Sequence, residues 1–363
     1  MVEIVTFNPD QHFSAWSPFV AASYKNPNYV LLSPAFLRWQ FLDNPANVTG
    51  NYTLWLVLHQ EAVVAQLGFV PFVGHAPGGK SFTGVYPINL IVRPDYRAGG
   101  LGVIILRQLL KQTQCVLNPG SSEAGAVLGM GLGMRDLGML RRYIAVLDET
   151  RARALAAENR LPSGVAAARA SDAAGSAIVR ANRLPQDAPD SFAFPAPVYG
   201  VERSRAFLRW RYERHPGFEY EILLSDDRAS LLVFHQELEP GTGALVLRIV
   251  DFLAHGEAQI SLLRELLQVA RERNAALADF FCSLDCYDAA LRLAGFFNEA
   301  DHQDGRIAAL FQPLDFRKIG IRALVAGPPG GSESAAQWYI AKGDSDQDRP
   351  NDRRTIRTYR PTT

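Results

Sequence analysis

A thirteen-residue segment that occurs twice constrains the fold more than any other feature of the chain. Residues 33–45 read SPAFLRWQFLDNP and residues 204–216 read SRAFLRWRYERHP, and seven of the thirteen positions are identical. Both copies have the apolar spacing of an amphipathic helix and end at a proline, which a helix interior does not accept. Self-similarity at this scale indicates two duplicated domains, because solenoid repeats recur at periods of roughly 20–50 residues.

The elements that follow each copy also correspond in kind. A helix containing LRQLL comes after the apolar strand 87–92, and a helix containing LRELL comes after the apolar strand 247–253. Apolar and alternating runs predict the other strands at 52–58, 62–73, 126–132, 140–147, 220–224, 229–234 and 278–283. We therefore predict one domain at 1–150 and a second at 200–320. A linker rich in Ala, Arg and Pro at 151–199 joins them, and a polar C-terminal tail follows at 321–363.

Length, charge and cysteine content exclude several classes of protein. The 363 residues suit two domains of about 100–200 residues each. The 37 basic and 37 acidic side chains balance, which argues against a nucleic-acid-binding protein. Cys115, Cys282 and Cys286 are too few for a zinc site or a disulfide framework, and their odd number predicts a reducing compartment, the cytoplasm. No apolar run approaches about 18 residues, so no membrane span is expected.

One glycine-rich loop has the features of a phosphate cradle. Residues 93–102 read RPDYRAGGLG and join an apolar strand ending at Val92 to a helix. Glycines let the backbone approach a phosphate closely, and the helix N-terminus presents free amides and the positive end of its dipole. Arg97 adds a charge-assisted donor. The competing interpretation is a Pro/Gly loop that begins an ordinary surface helix.

A second loop matches a phosphate-binding sequence pattern but lacks the sequence features of the helix that such a loop requires. Residues 74–81, GHAPGGKS, fit the phosphate loop of nucleotidases, whose mechanism requires a helix to begin at the Lys-Ser pair. Gly84 and Pro87 oppose such a helix. We predict a β-hairpin of strands 62–73 and 81–92 instead, and a nucleotidase is the weaker hypothesis.

The order Arg97-x-x-Gly100-x-Gly102 after Val92-x-Pro94 resembles the acyl-CoA-binding motif of the GNAT N-acyltransferase superfamily. The resemblance implies an α+β fold of two tandem GNAT-like domains, each with a mixed, mostly antiparallel central sheet flanked by helices. It also implies acetyl-CoA or another acyl-CoA as co-substrate, and no metal. The residues that it places beside pantetheine are Leu90, Ile91 and Val92, and those that it places at the pyrophosphate are Arg97, Ala98, Gly99, Gly100, Leu101 and Gly102.

The second half lacks this cradle. The aligned residues 254–259 read AHGEAQ, with one glycine, and Glu257 would repel a pyrophosphate. We expect the second domain not to bind CoA, but to be structural or to supply one wall of the acceptor site.

Amide formation from an acyl-CoA needs a base, an oxyanion site and a proton for the leaving thiolate. A free backbone N–H beside Ile91 or Val92 is the expected oxyanion donor. The candidate catalytic side chains on or before this strand are Asn89, Tyr86 and His75.

The chain offers two candidate acceptor sites. Tandem GNAT-like proteins of this size resemble enzymes that acylate amino sugars, including nucleotide-linked ones, and Trp39 with Arg38 would stack on and pair with such a nucleotide. Their recurrence as Trp210 and Arg209 favours a packing role instead. The second candidate is the tail, where the carboxylates of Asp344, Asp346 and Asp348 would bind an amine and Arg349 would bind a phosphate. The competing interpretation is a solvated tail without a binding role.

These observations predict an N-acyltransferase that moves an acyl group, expected to be acetyl, from acyl-CoA to a primary amine such as an amino sugar or a nucleotide-linked amino sugar. The alternative is a catalytically inactive tandem module that binds a carbohydrate or a protein. We expect a small-molecule amine as partner and no nucleic acid or membrane; a homodimer stays open.

Overall fold

The computed structural model describes residues 2–168, 177–312, 314–317, 320–328 and 338–357. Its strands are β1 Val2–Thr6, β2 Leu54–His59, β3 Ala62–His75, β4 Ser81–Val92, β5 Val116–Pro119, β6 Arg135–Met139, β7 Arg141–Val146, β8 Ile178–Ala181, β9 Ser191–Phe192, β10 Tyr199–Val201, β11 Arg203–Ser204, β12 Tyr220–Ser225, β13 Leu231–Leu238, β14 Leu245–Leu253, β15 Leu277–Cys282, β16 Phe297–Asn298, β17 Leu310–Phe311, β18 Leu314–Asp315, β19 Arg322–Ala326 and β20 Trp338–Tyr339. Its helices are α1 Pro9–Tyr24, α2 Pro34–Phe41, α3 Leu101–Gln112, α4 Glu123–Gly131, α5 Glu149–Ala154, α6 Arg205–Leu208, α7 Ala258–Glu272 and α8 Asp288–Ala294. None of these helices is long and apolar enough to cross a lipid bilayer.

Two large sheets have the same internal order. The first runs β1-β2-β3-β4-β5-β19-β6, and the second runs β8-β12-β13-β14-β15-β7-β16. In each sheet the fourth and fifth strands, β4 with β5 and β14 with β15, are parallel, and the other neighbours along these orders are antiparallel. The predicted fold class, mixed and mostly antiparallel sheets flanked by helices, is confirmed.

Each sheet receives strands from the other part of the chain, and the first sheet also includes β10, which pairs with β3 and with β20. β7 follows β6 directly but lies in the second sheet between β15 and β16, and β19 lies in the first sheet between β5 and β6. The predicted boundary at residue 150 and the assignment of 321–363 to a tail are therefore wrong for these two strands. Sequence periodicity identifies a strand but not the sheet that it joins, because any buried edge offers the same hydrogen bonds.

One predicted strand is a helix. The apolar, glycine-rich run 126–132 lies largely within α4, whose N-cap Ser122 accepts a hydrogen bond from the amide of Gly125. The strand that pairs with β4 lies earlier, at β5. A short apolar run fits a buried strand or a buried helix equally well, and here the serine cap selects the helix.

The predicted hairpin at 62–92 is confirmed. β3 and β4 are antiparallel neighbours, and their pairing extends from the Ala65–Val92 pair to the His75–Ser81 pair. Residues 76–80 form the turn between the strands. The phosphate-loop pattern therefore lacks the helix that its mechanism requires, so the nucleotidase hypothesis has no structural support.

The two copies of the repeat meet in the core. Each begins at a serine N-cap, Ser33 for α2 and Ser204 for α6. The rings of Trp39 and Trp210 stack with centroids 5.1 Å apart, and each indole N–H donates to the backbone oxygen of the other tryptophan at 2.9 Å. This reciprocal contact supports the packing interpretation of Trp39.

The C-terminal segment, residues 338–357, is largely part of the core rather than a solvated tail. Arg203 is fully buried and donates to Asp251 of β14 at 2.6 Å and to Asp344 at 2.8 Å. Arg211 donates to Asp348 at 2.9 Å. The prediction of a solvated tail rested on the many charged residues of this segment. Charged groups can be buried when they are paired, and composition does not show which residues pair.

Part of this segment fills the gap between β14 and β15. These strands pair at residues 246–249 and 277–280 and then separate. In the gap, Ser283 donates its amide to the carbonyl of Ile340, and the hydroxyl of Tyr339 accepts from the amide of Phe252. The C-terminal segment thus fills the opening between β14 and β15 in the second sheet.

Replacing Arg203 by methionine should lower the free energy of unfolding by about 3–5 kcal/mol, because Asp251 and Asp344 would stay buried without their counter-charge. Urea denaturation measures the change. Arg38→Met is the control, since Arg38 pairs with Asp43 at a site where its side chain is 43% exposed, and its effect should stay within about 1 kcal/mol. Equal effects of the two variants would contradict the structural role of Arg203.

Candidate functional site

The first sheet has an opening along one edge of β4. β4 and β5 pair only at Val85 and Val116, and within the described residues no strand covers that edge of β4 from Tyr86 onwards. The opening corresponds to the one that the C-terminal segment fills in the second sheet. An extended ligand lying here would meet unpaired backbone groups, which favour hydrogen bonding.

A bulge in β4 lies within this opening. Between Ile88 and Ile91 the strand has an extra residue relative to β3, and Asn89 has a φ of 53°. The Asn89 side-chain oxygen accepts from the hydroxyl of Tyr24 at 2.6 Å, and its backbone oxygen accepts from the Gln66 amide at 3.1 Å. A bulge re-aims the backbone of its strand, and these two bonds hold it in place.

The predicted phosphate cradle lies where β4 ends. Arg97 is exposed and donates from Nε to the carbonyl of Val92 at 3.1 Å. Gly100 has a φ of 71°, and a Cβ atom on Gly99 or Gly100 would meet no heavy atom within 4 Å, so the surface there is open. Helix α3 begins directly afterwards, and its first amides have no intrahelical acceptor. The structure brings all nine predicted cofactor residues to this end of β4: Leu90, Ile91, Val92, Arg97, Ala98, Gly99, Gly100, Leu101 and Gly102.

A small cavity of about 40 Å³ lies further back along β4. Buried polar atoms on two of its lining residues, Oε1 of Gln40 and Nε of Arg349, have no hydrogen-bond partner among the described residues. Such atoms commonly mark the place of a bound water or ligand. The lining also includes apolar and aromatic side chains from both halves, Trp39, Val70, Tyr86, Ile88, Phe207 and Trp210.

A large cavity of about 770 Å³ lies next to the small one. Asp346 and Arg349 of the C-terminal segment line both. The large cavity is otherwise lined by aromatic, amide and charged side chains, among them Asn26, Phe218, Glu237, Arg248, Phe311, Gln312, Asn351 and Asp352. Its volume is in the range of small-molecule sites in proteins, about 300–1,000 Å³.

The candidate ligands of the C-terminal segment have different surroundings. Asp344 and Asp348 are occupied by buried arginines, whereas Asp346 forms no ion pair with any residue that the structure describes. Burial raises the pKa of Asp346, and the charge of Arg349 lowers it in part. Arg349 donates to the hydroxyl of Tyr29 at 2.5 Å. Asp346 is therefore the carboxylate of this segment that is available to a ligand.

The predicted catalytic residues are not equally placed. Tyr86 lines the small cavity, but its hydroxyl donates to Asp344 at 2.8 Å, and burial, followed by the charge of Asp344, raises its pKa well above the ordinary value. The Tyr86 hydroxyl therefore stays protonated at neutral pH, with its hydrogen directed to Asp344. Asn89 is at the bulge, but an amide is not a base. His75 lies at the far end of the hairpin, where it lines a separate cleft with Phe194.

Of the predicted nucleotide contacts, Arg38 pairs with Asp43 and does not line either cavity, while Trp39 lines the small cavity only. Sequence reasoning missed Gln40 and Arg211, which line the small cavity together. The repeat contained the signal, because Gln40 and Arg211 occupy the same position in its two copies, directly after the paired tryptophans.

No metal site is evident in the described part of the chain, since no group of three His, Cys, Asp or Glu side chains there is arranged to hold an ion. The prediction that the reaction needs no metal is not tested by this observation.

Several solved structures with a similar fold are named as acetyl- or acyltransferases, although no protein-family model and no curated protein matches the chain. A GCN5-related N-acetyltransferase from Anabaena variabilis aligns over 90% of this chain and 72% of its own at 11% identity, with a TM-score of 0.54. N-myristoyltransferase from Saccharomyces cerevisiae with bound myristoylCoA aligns over 97% and 87% at 11% identity, also with a TM-score of 0.54. A putative acetyltransferase from Pyrococcus horikoshii aligns over 93% and 92% at 13% identity, with a TM-score of 0.50. The chain therefore has the fold that these GNAT-type acyltransferases share.

Proposed function

We propose that the protein transfers a short acyl group from acyl-CoA to a primary amine. The observation that carries the proposal is that three features follow one another along β4, and we take them as the path of the cofactor. They are the glycine cradle, the edge past the bulge that no described strand covers, and the small cavity that Ile88 lines.

The dimensions of this path suit the cofactor. The pyrophosphate would lie on the amides at the start of α3, beside Arg97, and the pantetheine arm would follow the edge of β4 towards Ile88. An extended strand rises about 3.3 Å per residue, so Val92 and Ile88 are separated by about 13 Å, the reach of an extended arm rather than of a compact ligand. Backbone amides at the bulge would then face the thioester oxygen, where negative charge develops during attack.

The large cavity would hold the amine. Its aromatic and amide side chains, including Phe218, Phe311 and Gln312, suit the apolar face and the hydroxyl groups of an amino sugar. Arg38 lines neither cavity, and the ring of Trp39 is stacked on Trp210 in the wall of the small cavity, so the recognition of a nucleotide through these two residues is not part of the proposal.

The cradle is tested by Gly102→Glu. A Cβ atom at Gly102 would make only ordinary contacts, at 3.7 Å from Leu128 and Val92, so the helix should form normally. The new carboxylate would repel the pyrophosphate, and calorimetry with CoA should show a loss of affinity of at least tenfold.

Gln112→Glu is the matched control for this experiment. It adds the same charge to the same helix ten residues later, about 15 Å away, and should leave CoA affinity unchanged. Equal CoA binding by the wild type and both variants, or none by the wild type, would contradict the proposal. CoA binding without thiol release across a panel of amino sugars would favour the inactive binding module.

The volume of the small cavity predicts the acyl group. One water needs about 10–15 Å³, so 40 Å³ accommodates on the order of three non-hydrogen atoms, the size of an acetyl group. Acetyl-CoA should be the preferred donor in a thiol-release assay, and myristoyl-CoA, the ligand named for the yeast structure, should be a poor one.

Val70→Ala should widen this cavity, since Val70 is buried in its wall, and should improve kcat/KM for butyryl-CoA relative to acetyl-CoA by about 10-fold or more. Val63→Ala is the control, because it shortens a valine of the same strand that does not line the cavity and should leave the preference unchanged. An unchanged preference in Val70→Ala would place the acyl group elsewhere.

A further inference from the structure

Asp346 lies at the junction of the two cavities. Among the described residues that line the small and large cavities, only Asp346 and Arg349 line both. If the acyl group occupies the small cavity and the amine enters from the large one, the two reactants meet beside these side chains. This inference therefore rests on the proposed function and concerns how the proton is handled at that site.

The other carboxylates that line the cavities already have partners. Asp344 accepts from Arg203 and Tyr86, and Asp348 accepts from Arg211 and Tyr220. Three further carboxylates line the large cavity. Glu237 is paired with Arg248, and Asp352 is paired with Arg354. Glu239 accepts hydrogen bonds from backbone amides of a turn. A carboxylate held by a cation or by several donors is a weaker base, because those groups stabilise its charged form. Among the described residues, Asp346 is the lining carboxylate that has neither an ion pair nor a hydrogen bond from another side chain, whereas Glu239 accepts from the Thr242 hydroxyl.

The side chains around Asp346 leave its carboxylate available to accept a proton. The charged and titratable side chains that face it are Arg349 on its own segment, Tyr24 at the end of α1, and Tyr29. Burial raises the pKa of both tyrosines, so both are neutral near pH 7. Arg349 is directed to Tyr29, with its Nη2 donating to the hydroxyl at 2.5 Å.

We propose that the carboxylate of Asp346 is the general base of the reaction. As the amine nitrogen forms its bond to the thioester carbon, one N–H proton moves to Asp346. The C–S bond then breaks, and the carboxyl group gives the same proton to the departing thiolate, which leaves as free CoA thiol. The products are the amide and CoA, and the carboxylate is regenerated.

The raised pKa of Asp346 matches this role. A base with a pKa nearer to the working pH transfers protons more effectively than an ordinary aspartate. The charged form accepts the proton, so kcat/KM calculated per unprotonated amine should rise with pH through the pKa of Asp346 and then level off.

The test is Asp346→Asn, assayed by thiol release with acetyl-CoA and D-glucosamine. An amide of the same shape cannot accept the proton, so kcat should fall by about 10²–10⁴-fold, while calorimetry shows unchanged affinity for CoA. The acidic limb of the pH profile should disappear. Asp301→Asn is the control, because Asp301 is paired with Arg292 at the surface and lines neither cavity, and its kcat should change by less than about threefold.

Asp346→Glu separates a chemical role from a structural one. It keeps the carboxylate, so it should retain activity above that of the amide variant and show an acidic limb at a shifted pH. An Asp346→Asn enzyme with near-normal kcat and an intact acidic limb would overturn the proposal, and so would a glutamate variant as inactive as the amide. If Asp346→Asn does not fold, the presence or absence of a shifted limb in Asp346→Glu decides the question.

Failure of the proposed function is recognised separately. It appears in the wild type, as absence of CoA binding or of thiol release, and it removes the basis of the Asp346 proposal as well. Failure of the Asp346 proposal alone appears as an active wild type together with an equally active amide variant.

Discussion

The buried ion pairs of Arg203 are the interaction on which the rest of the molecule depends. Arg203 joins Asp251, in the parallel-paired strand of the second sheet, to Asp344, in the C-terminal segment. Because an unpaired buried charge is far more costly than a paired one, this arginine fixes where the segment crosses the core. The position of Asp344 in turn places Asp346 two residues later at the junction of the cavities, and Tyr86 ties the same carboxylate to the first sheet.

The two halves differ in what fills the opening between their parallel strands. Both sheets have the same strand order, and in both the parallel pair separates after a short contact. In the second half, residues 338–341 occupy the opening, and Glu257 stands at the start of α7. In the first half no strand of the described residues covers the edge of β4 beyond Val85, and Gly100 allows the backbone turn before α3. This asymmetry supports the expectation that only the first half binds CoA.

Much of the candidate site could be predicted from local sequence. The cradle 93–102 and the hairpin before it depend on glycine, proline and alternation patterns that act over a few residues. The tryptophans of the repeat were interpreted as packing residues because they recur in the half without a cradle. The helix α4 was mistaken for a strand, since a short apolar run carries no periodicity that separates the two.

The sequence by itself contains the repeated segment, the glycine-rich loop 93–102 and the lack of such a loop at the aligned residues 254–259, because each is written in contiguous residues. Only the tertiary structure decided that β7 and β19 exchange sheets, that the charged segment 338–348 lies in the core, and that Asp346 is left without an ion pair. These features depend on partners more than a hundred residues away, such as Arg203 for Asp344 and Arg211 for Asp348. Charge and hydropathy patterns describe a residue's neighbours in sequence, whereas burial of a charge is decided by its neighbours in space.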